Sequence, residues 1–145
     1  MKTIIASPHA PKAVGPYSQA VEAGGALYVS GQLPIDAASG KMDEGIEAQT
    51  RRSLTNLGHI LREAGYDYSD VVKTTVLLQS IGDFAAMNAV YAEFFTVGDA
   101  GAHVLPGRGA ADGRAGRNRR RGGEIIPPSD RRRAPGIWGV PFALL

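Results

Sequence analysis

Residues 45–64 read GIEAQTRRSLTNLGHILREA, and this stretch decides the fold class. Apolar or small side chains recur every three to four positions, whereas most charged side chains fall outside that stripe. The pattern predicts an amphipathic helix that ends at Gly65, because glycine readily adopts the left-handed conformation that follows a last helical turn. The stripe comprises Ile46, Ser53, Leu54, Leu57, Ile60, Leu61 and Ala64.

Strand patterns lie on both sides of this helix. Before it, residues 3–5, 18–23 and 26–30 are candidate strands, and Gly24-Gly25 predicts a hairpin turn between the last two. After it, residues 71–78 (VVKTTVLL) are rich in β-branched side chains, which favours another strand.

A second helix is predicted from the spacing of Ser80 and Asp83, which is typical of a capping box. Strands, helix, strand and helix predict an α+β domain in which a mixed sheet carries two helices on one face. Such a sheet needs further strands after the second helix. The sequence shows no clear pattern for them, so the C-terminal strands are expected to be missing. The buried face of the second helix is expected to comprise Phe84, Met87, Tyr91 and Phe94, with Phe95 alongside.

The composition changes abruptly after Thr96. Residues 1–96 contain seven Lys or Arg and ten Asp or Glu, whereas residues 97–145 contain nine Arg, no Lys and four acidic residues. The second segment is rich in Gly, Arg and Pro, a composition that buries too little apolar surface to offset the entropy of ordering the chain. We therefore expect a truncated domain over residues 1–96 and a largely disordered tail over residues 97–145.

Bulk composition excludes several classes of protein. The absence of cysteine excludes disulfides and thiolate metal sites and suits the cytoplasm. No apolar run approaches the roughly 20 residues of a membrane span, so no membrane contact is expected. His9, His59 and His103 have no ligand partners at metal-binding spacing, so they are interpreted as surface histidines and no metal site is predicted.

Three local features are candidates for a binding site. Tyr17 follows the rigid Gly15-Pro16 turn, which either presents its hydroxyl to a ligand or packs the ring on the sheet edge. Ser30-Gly31 places a glycine in a strand pattern, where either a ligand approaches the backbone or the strand forms a bulge. Asn88 is expected on the apolar face of the second helix, where its amide either ties down a loop or lines a pocket.

Taken together, these motifs resemble the RidA family (YjgF/YER057c/UK114) nearly continuously over residues 1–96. The resemblance implies a chorismate-mutase-like α+β fold, a homotrimer with sites at the subunit interfaces, and no cofactor. It also maps Tyr17, Ser30, Gly31 and Asn88 onto substrate-binding positions. The similarity rests on GPYSQA at residues 15–20, LYVSGQLP at 27–34, QTRRSLTNL at 49–57, VVKTTVLL at 71–78 and MNAVYAEFFT at 87–96.

The resemblance implies hydrolytic deamination of reactive 2-imino acids and enamines, such as 2-iminobutanoate and 2-aminoacrylate, to 2-keto acids and ammonia. The expected partner is thus a small imino or keto acid, and the role is detoxification of reactive intermediates. Two alternatives stay open: a family endoribonuclease or translation inhibitor, and a non-catalytic trimer that binds small molecules. Nucleic-acid binding is the lesser interpretation of the arginine-rich tail, because residues 1–96 show no general acid–base pair for RNA cleavage.

Two family motifs are absent after Thr96 in this reading frame. One is P-A-R, whose arginine holds the substrate carboxylate, and the other is E-I-E-A, whose glutamate orients the attacking water. The catalytic residues therefore remain unassigned, and activity is expected to be impaired. Codons for residues 100–103 and 107–119, read one base later, admit P-A-R and V-A-A-L-P-M-G-A-L-V-E-I. This agreement favours a single-base frameshift near codon 96 or 97, in the gene or its sequencing.

Overall fold

The computed structural model describes residues 1–95, 101–106 and 140–143. These residues form a series of strands and helices in the predicted α+β order, with short 3-10 turns at Tyr68–Asp70 and Ile81–Asp83. The elements are β1 Lys2–Ile5, β2 Ala20–Ala23, β3 Ala26–Val29, α1 Ile46–Glu63, β4 Lys73–Leu78, α2 Phe84–Tyr91, β5 Gly101–Pro106 and β6 Val140–Ala143.

The first three strands form an antiparallel sheet in chain order. Ile4 pairs with Val21, and Val21 pairs with Tyr28. Because directly paired residues point to the same face of a sheet, these three side chains form an apolar row across β1, β2 and β3. Ile4 is 62% exposed and Tyr28 is 48% exposed, so this row is uncovered in the single chain.

β4 lies between two parallel neighbours. It pairs with β5 on one side and with β6 on the other, and β6 also contacts β3. The prediction that the closing strands are missing is therefore wrong for residues 101–106 and 140–143. Main-chain N–H and C=O groups can pair with β4 whatever side chains they carry, so the unfavourable composition did not exclude a ladder there. The predicted disorder of the other tail residues lies outside the described part of the chain.

The middle of the α1 stripe, from Ser53 to Leu61, is buried as predicted and packs against the sheet, whereas Ile46 and Ala64 at its ends are partly buried. Gly45 and Gly65 flank the helix with φ angles of 80°, a left-handed conformation that glycine adopts without steric strain. The predicted end of the helix at Gly65 is therefore confirmed. The centre of the core comprises Leu27, Leu54, Leu57, Ile60, Leu61, Val76 and Leu78, each at most 2% exposed.

The buried face of α2 differs in part from the prediction. Met87, Tyr91 and Phe95 are buried as expected, but Phe84 is 41% exposed. Residues 81–83 form a 3-10 turn, so the α-helix begins only at Phe84, and Val90 joins the buried side instead. The Ser80 hydroxyl accepts a hydrogen bond from the Gly82 N–H at 3.2 Å, which caps this turn without a reciprocal bond.

Candidate functional site

Tyr17 and Gly31 line one small cleft between residues 11–14 and residues 31–35. Its enclosed volume is about 20 Å³, enough for one water molecule or one carboxylate oxygen. A larger depression of about 480 Å³ lies along residues 4–8 and also borders Tyr17. The two depressions share a wall that comprises Lys12, Ala13, Tyr17 and Gln19.

Two hydrogen bonds from Ser30 bring these residues together. The Ser30 N–H donates to the Gln19 carbonyl at 2.9 Å, and the Ser30 hydroxyl donates to the Ser18 carbonyl at 2.7 Å. They extend the contact between β2 and β3 beyond the strands, so the segment that carries Tyr17 is held beside Gly31. Ser30 therefore lies behind the cleft, and its hydroxyl proton is already used in the hydrogen bond to the Ser18 carbonyl.

The Tyr17 ring folds back over its own turn. The Tyr17 N–H donates to the Gly15 carbonyl at 2.8 Å, and the Tyr17 hydroxyl accepts a hydrogen bond from the Val14 N–H at 3.4 Å. A Cβ atom at position 15 would lie 3.3 Å from a carbon of the ring, so glycine makes room for this arrangement. The side chain remains 48% exposed, which leaves the hydroxyl accessible to a ligand.

Gln19 is the important residue that sequence reasoning missed. Its buried amide accepts a hydrogen bond from the Ser7 N–H at 2.6 Å and donates to the carbonyls of Ser7, Ala10 and Pro11 at 3.2, 3.3 and 2.9 Å. The side chain therefore holds residues 7–11, whose end forms one wall of the Tyr17 cleft. In the sequence, Gln19 is visible only as a large amide side chain inside a predicted strand. That feature does not show that the amide will bond to a residue twelve positions earlier.

Asn56 plays a matching role on the opposite wall. From the buried face of α1, its side-chain amide donates to the carbonyls of Leu33 and Ile35 at 3.0 and 2.9 Å. These bonds hold the segment that follows Gly31 against the helix. Both walls of the cleft are thus fixed by buried amides.

Asn88 does not join this cleft. It is exposed on α2, so the expectation of a buried amide on the apolar face is wrong. Asn88 follows the exposed Phe84 by four residues and shares its side of α2, whereas the buried side comprises Met87, Val90 and Tyr91. Among the hydrogen bonds between described residues, none uses the Asn88 side chain. The structure therefore brings Tyr17, Ser30 and Gly31 together and leaves Asn88 on a separate surface.

Two tyrosines, Tyr68 partly buried and Tyr91 buried, have structural roles. The Tyr68 hydroxyl donates to the Leu54 carbonyl at 2.8 Å, and burial raises the pKa of Tyr68 to about 12. The hydroxyls of Tyr91 and Thr74 lie 2.6 Å apart, and burial likewise raises the pKa of Tyr91. Because both phenols stay neutral at physiological pH, they are poor proton-transfer groups. Among the described residues, no group of three or more His, Cys, Asp or Glu side chains is arranged to hold a metal ion.

The fold and the order of its elements agree with a known family. The family model described as endoribonuclease L-PSP matches residues 7–107. The chain belongs to this family. It is the RidA family that the sequence motifs indicated, and the match includes Tyr17, Ser30, Gly31 and Asn88.

Curated members of the RidA family align with about two thirds of the chain. A RutC family protein from Pyrococcus horikoshii is 51% identical over 96 residues, which cover 66% of this chain and 76% of that protein. A 2-iminobutanoate/2-iminopropanoate deaminase from Capra hircus is 48% identical over 96 residues, or 66% and 70% of the two chains. The protein of the same name from Salmonella typhimurium is 45% identical over 96 residues, or 66% and 75%.

Solved structures show the same fold. RidA from an Antarctic Psychrobacter is similar with a TM-score of 0.69 at 36% identity, covering 71% of this chain and 84% of that one. E. coli TdcF with bound serine is similar with a TM-score of 0.67 at 34% identity, covering 72% and 84%. In the described part of this RidA-family chain, no helix is both long and apolar enough to cross a membrane.

Proposed function

We propose that this chain carries the substrate-binding half of a deaminase for 2-imino acids. In that reaction water adds to the C=N carbon and ammonia leaves, so that a 2-imino acid becomes a 2-keto acid. The observation that carries the proposal is the 45–48% identity to proteins named 2-iminobutanoate/2-iminopropanoate deaminase. We place the reaction in the cytoplasm, on the expectation from the cysteine-free sequence.

The proposed ligand is a small carboxylate with nitrogen or oxygen at carbon 2. Serine, bound by TdcF, shares the carboxylate and the 2-nitrogen with such an imino acid. In this chain the accessible Tyr17 hydroxyl provides a hydrogen-bonding group, and the absence of a side chain at Gly31 leaves the backbone open to approach. We assign Tyr17, Ser30 and Gly31 to substrate binding, with Ser30 acting through the position of the other two.

We propose that the working form is a homotrimer and that Asn88 completes the pocket of a neighbouring subunit. Asn88 is exposed and lies on a different element from Tyr17 and Gly31. In a site shared between subunits, such residues lie on separate surfaces of one chain and meet across the interface. The uncovered apolar row of Ile4, Val21 and Tyr28 offers a surface for self-association. No cofactor enters the proposed reaction, because water is the only second reactant.

We propose that catalysis is weak in the chain as written, whereas ligand binding persists. The arginine that would hold the carboxylate and the glutamate that would orient water belong to motifs that this reading frame does not encode. The alignments span 93–96 residues and cover about three quarters of each relative, so they are about as long as the segment that precedes the proposed break. Reading codons 97–124 one base later tests the frameshift directly.

Equilibrium binding separates the pocket from the chemistry. We expect 2-ketobutanoate, the stable product, to bind the full chain in titration calorimetry and Tyr17→Phe to weaken binding at least about tenfold, as for loss of one hydrogen bond to a charged group. Tyr66→Phe is the matched control, because it also removes one phenolic hydroxyl, whose bond is to Glu22, and Tyr66 lies outside the cleft. Its affinity should equal that of the unmodified chain.

Three results would count against this proposal. Failure of 2-ketobutanoate to bind any form of the chain would remove the assigned pocket. Ammonia release from freshly generated 2-iminobutanoate at the rate of an intact deaminase would contradict the impairment. RNA cleavage by the chain without binding of 2-keto acids would favour the endoribonuclease alternative that the family's description suggests.

A further inference from the structure

A second cleft lies away from Tyr17, between the loop of residues 7–10 and α1. Its volume is about 270 Å³, and its walls include Pro8, His9, Asp36, Arg52, Asn56 and His59. The His9 and His59 rings, 50 positions apart in sequence, have centroids 5.7 Å apart and planes tilted by 44°. Neither residue takes part in the proposed deaminase site.

We propose that His9 and His59 form a two-imidazole site for a divalent first-row transition-metal ion such as Zn²⁺ or Cu²⁺. With metal–nitrogen bonds of about 2.0–2.1 Å, one ion bonded to both rings holds their centres roughly 5–6 Å apart at near-tetrahedral angles. The observed separation lies in that range. Imidazole nitrogen is a preferred ligand for both ions.

Both rings are carried on fixed supports. His59 belongs to α1, and the His9 loop is held by the four hydrogen bonds of Gln19. The His9 N–H also donates to the Ser7 hydroxyl at 3.3 Å. Because little backbone freedom is lost on closing the chelate, the ion gains from preorganisation.

Of the described side chains around the cleft, the two imidazoles are the ones placed to bind the ion. The Asp36 carboxylate pairs with Arg52 at 3.0 Å and accepts a hydrogen bond from the Ser39 N–H at 2.7 Å, so it is not free to coordinate. Two protein nitrogens leave the other coordination positions to water, which makes the site weak and exchangeable.

Arg62 opposes the ion and gives the proposal a sharp test. Its guanidinium lies 3.4 Å from Nδ1 of His59 and can only donate, so this contact uses the Nδ1 lone pair. When a metal ion binds Nε2 of His59, the ring proton must lie on Nδ1. There it faces the Arg62 guanidinium, which cannot accept it. Arg62→Gln should therefore tighten binding about threefold, a gain in the range of single surface-charge effects.

The experiment is titration of the full chain with ZnCl₂ by calorimetry, together with electron paramagnetic resonance of the Cu²⁺ form. We expect one ion per chain, with affinity at least tenfold lower in His9→Gln and in His59→Gln. The Cu²⁺ spectrum should show splitting from two nitrogens in the unmodified chain and from one in each variant. Circular dichroism of each variant checks that the fold is kept.

Two matched controls complete the design. His103→Gln removes the third histidine, which belongs to β5, and Arg51→Gln removes a positive charge from the same helix while leaving Arg62 in place. Both should bind Zn²⁺ like the unmodified chain. Unchanged affinity in His9→Gln or His59→Gln, or loss of binding in His103→Gln alone, would overturn the site. Because no step depends on the deaminase, either proposal can fail without the other.

Discussion

The two parts of the chain on either side of Thr96 differ in what holds them in place. In residues 1–95, strands and both helices share one set of buried apolar side chains, centred on α1. Among the residues beyond Thr96, those described join the fold by main-chain pairing with β4. The first part therefore specifies its fold through its side chains, whereas the second supplies strands without the side chains that the proposed chemistry needs.

The largest effect is expected from restoring the reading frame after codon 96. We expect a chain that reads codons 97–124 one base later to regain the P-A-R and E-I segments. We expect ammonia release from freshly generated 2-iminobutanoate to rise at least about 100-fold, the usual contribution of a positioned acid–base group. The matched control is the same chain with that arginine replaced by glutamine. A restored chain no faster than the original would show that the difference between the two parts does not limit catalysis.

Gly58→Ala tests the core of the first part. A Cβ atom there would clash with the Tyr68 ring, whose Cζ would lie 2.8 Å away, and would disturb the bond from Tyr68 to Leu54. We expect a loss of about 2–3 kcal/mol in the free energy of unfolding, measured by urea denaturation.

Gly82→Ala is the control for this substitution, because its added methyl group meets only the Ser80 hydroxyl oxygen, at 3.3 Å. Its effect should stay below about 0.5 kcal/mol. Each substitution should lower the free energy of unfolding by the same amount in the frame-restored chain, since the contacts lie within residues 1–95. A loss that differs between the two reading frames would mean that the tail contributes to the packing of this core.

Gln19→Ala tests the clamp that positions the Tyr17 cleft. The change leaves the Ser7 N–H and several carbonyls without their buried partner, so we expect a loss of about 2 kcal/mol in unfolding free energy. Weaker binding of 2-ketobutanoate should accompany it, because residues 7–11 lose their support. Gln79→Ala, at an exposed position, serves as the control and should change neither quantity. Equal behaviour of the two variants would contradict the role given to Gln19.

Prediction from sequence succeeded where a signal is local and periodic. The spacing of apolar side chains placed α1, and Gly65 marked its end. The start of α2 was less predictable, because Ser80 and Asp83 fit an α-helix cap as well as the observed 3-10 turn. Asn88 lies on the same side of α2 as the exposed Phe84, and the spacing alone did not show which side would be buried.

Contacts between distant residues could not be read from the sequence. Nothing in the spacing of Gln19, Asn56 or His9 shows which carbonyl or ring each will meet after folding. The pairing of β5 and β6 with β4 was missed for a related reason, because the ladder uses main-chain groups that, apart from the N–H missing in Pro106 and Pro141, every residue carries.

The smallest effect is expected from alkaline pH, and it reports on the first part alone because every tyrosine precedes Thr96. Burial raises the pKa of Tyr68 from 10.0 in the unfolded chain to about 12 in the folded one. Above pH 10 the unfolded chain therefore binds fewer protons than the folded one, so the free energy of unfolding is at its full value below pH 10 and falls between pH 10 and 12.

Urea denaturation of the unmodified chain and of Tyr68→Phe across this range measures how steeply the free energy of unfolding falls with pH. The variant should lose stability less steeply, and the frame-restored chain should follow the original curve, because arginine remains charged throughout. Identical slopes for the variant and the original would show that the buried Tyr68 hydroxyl does not govern alkaline unfolding.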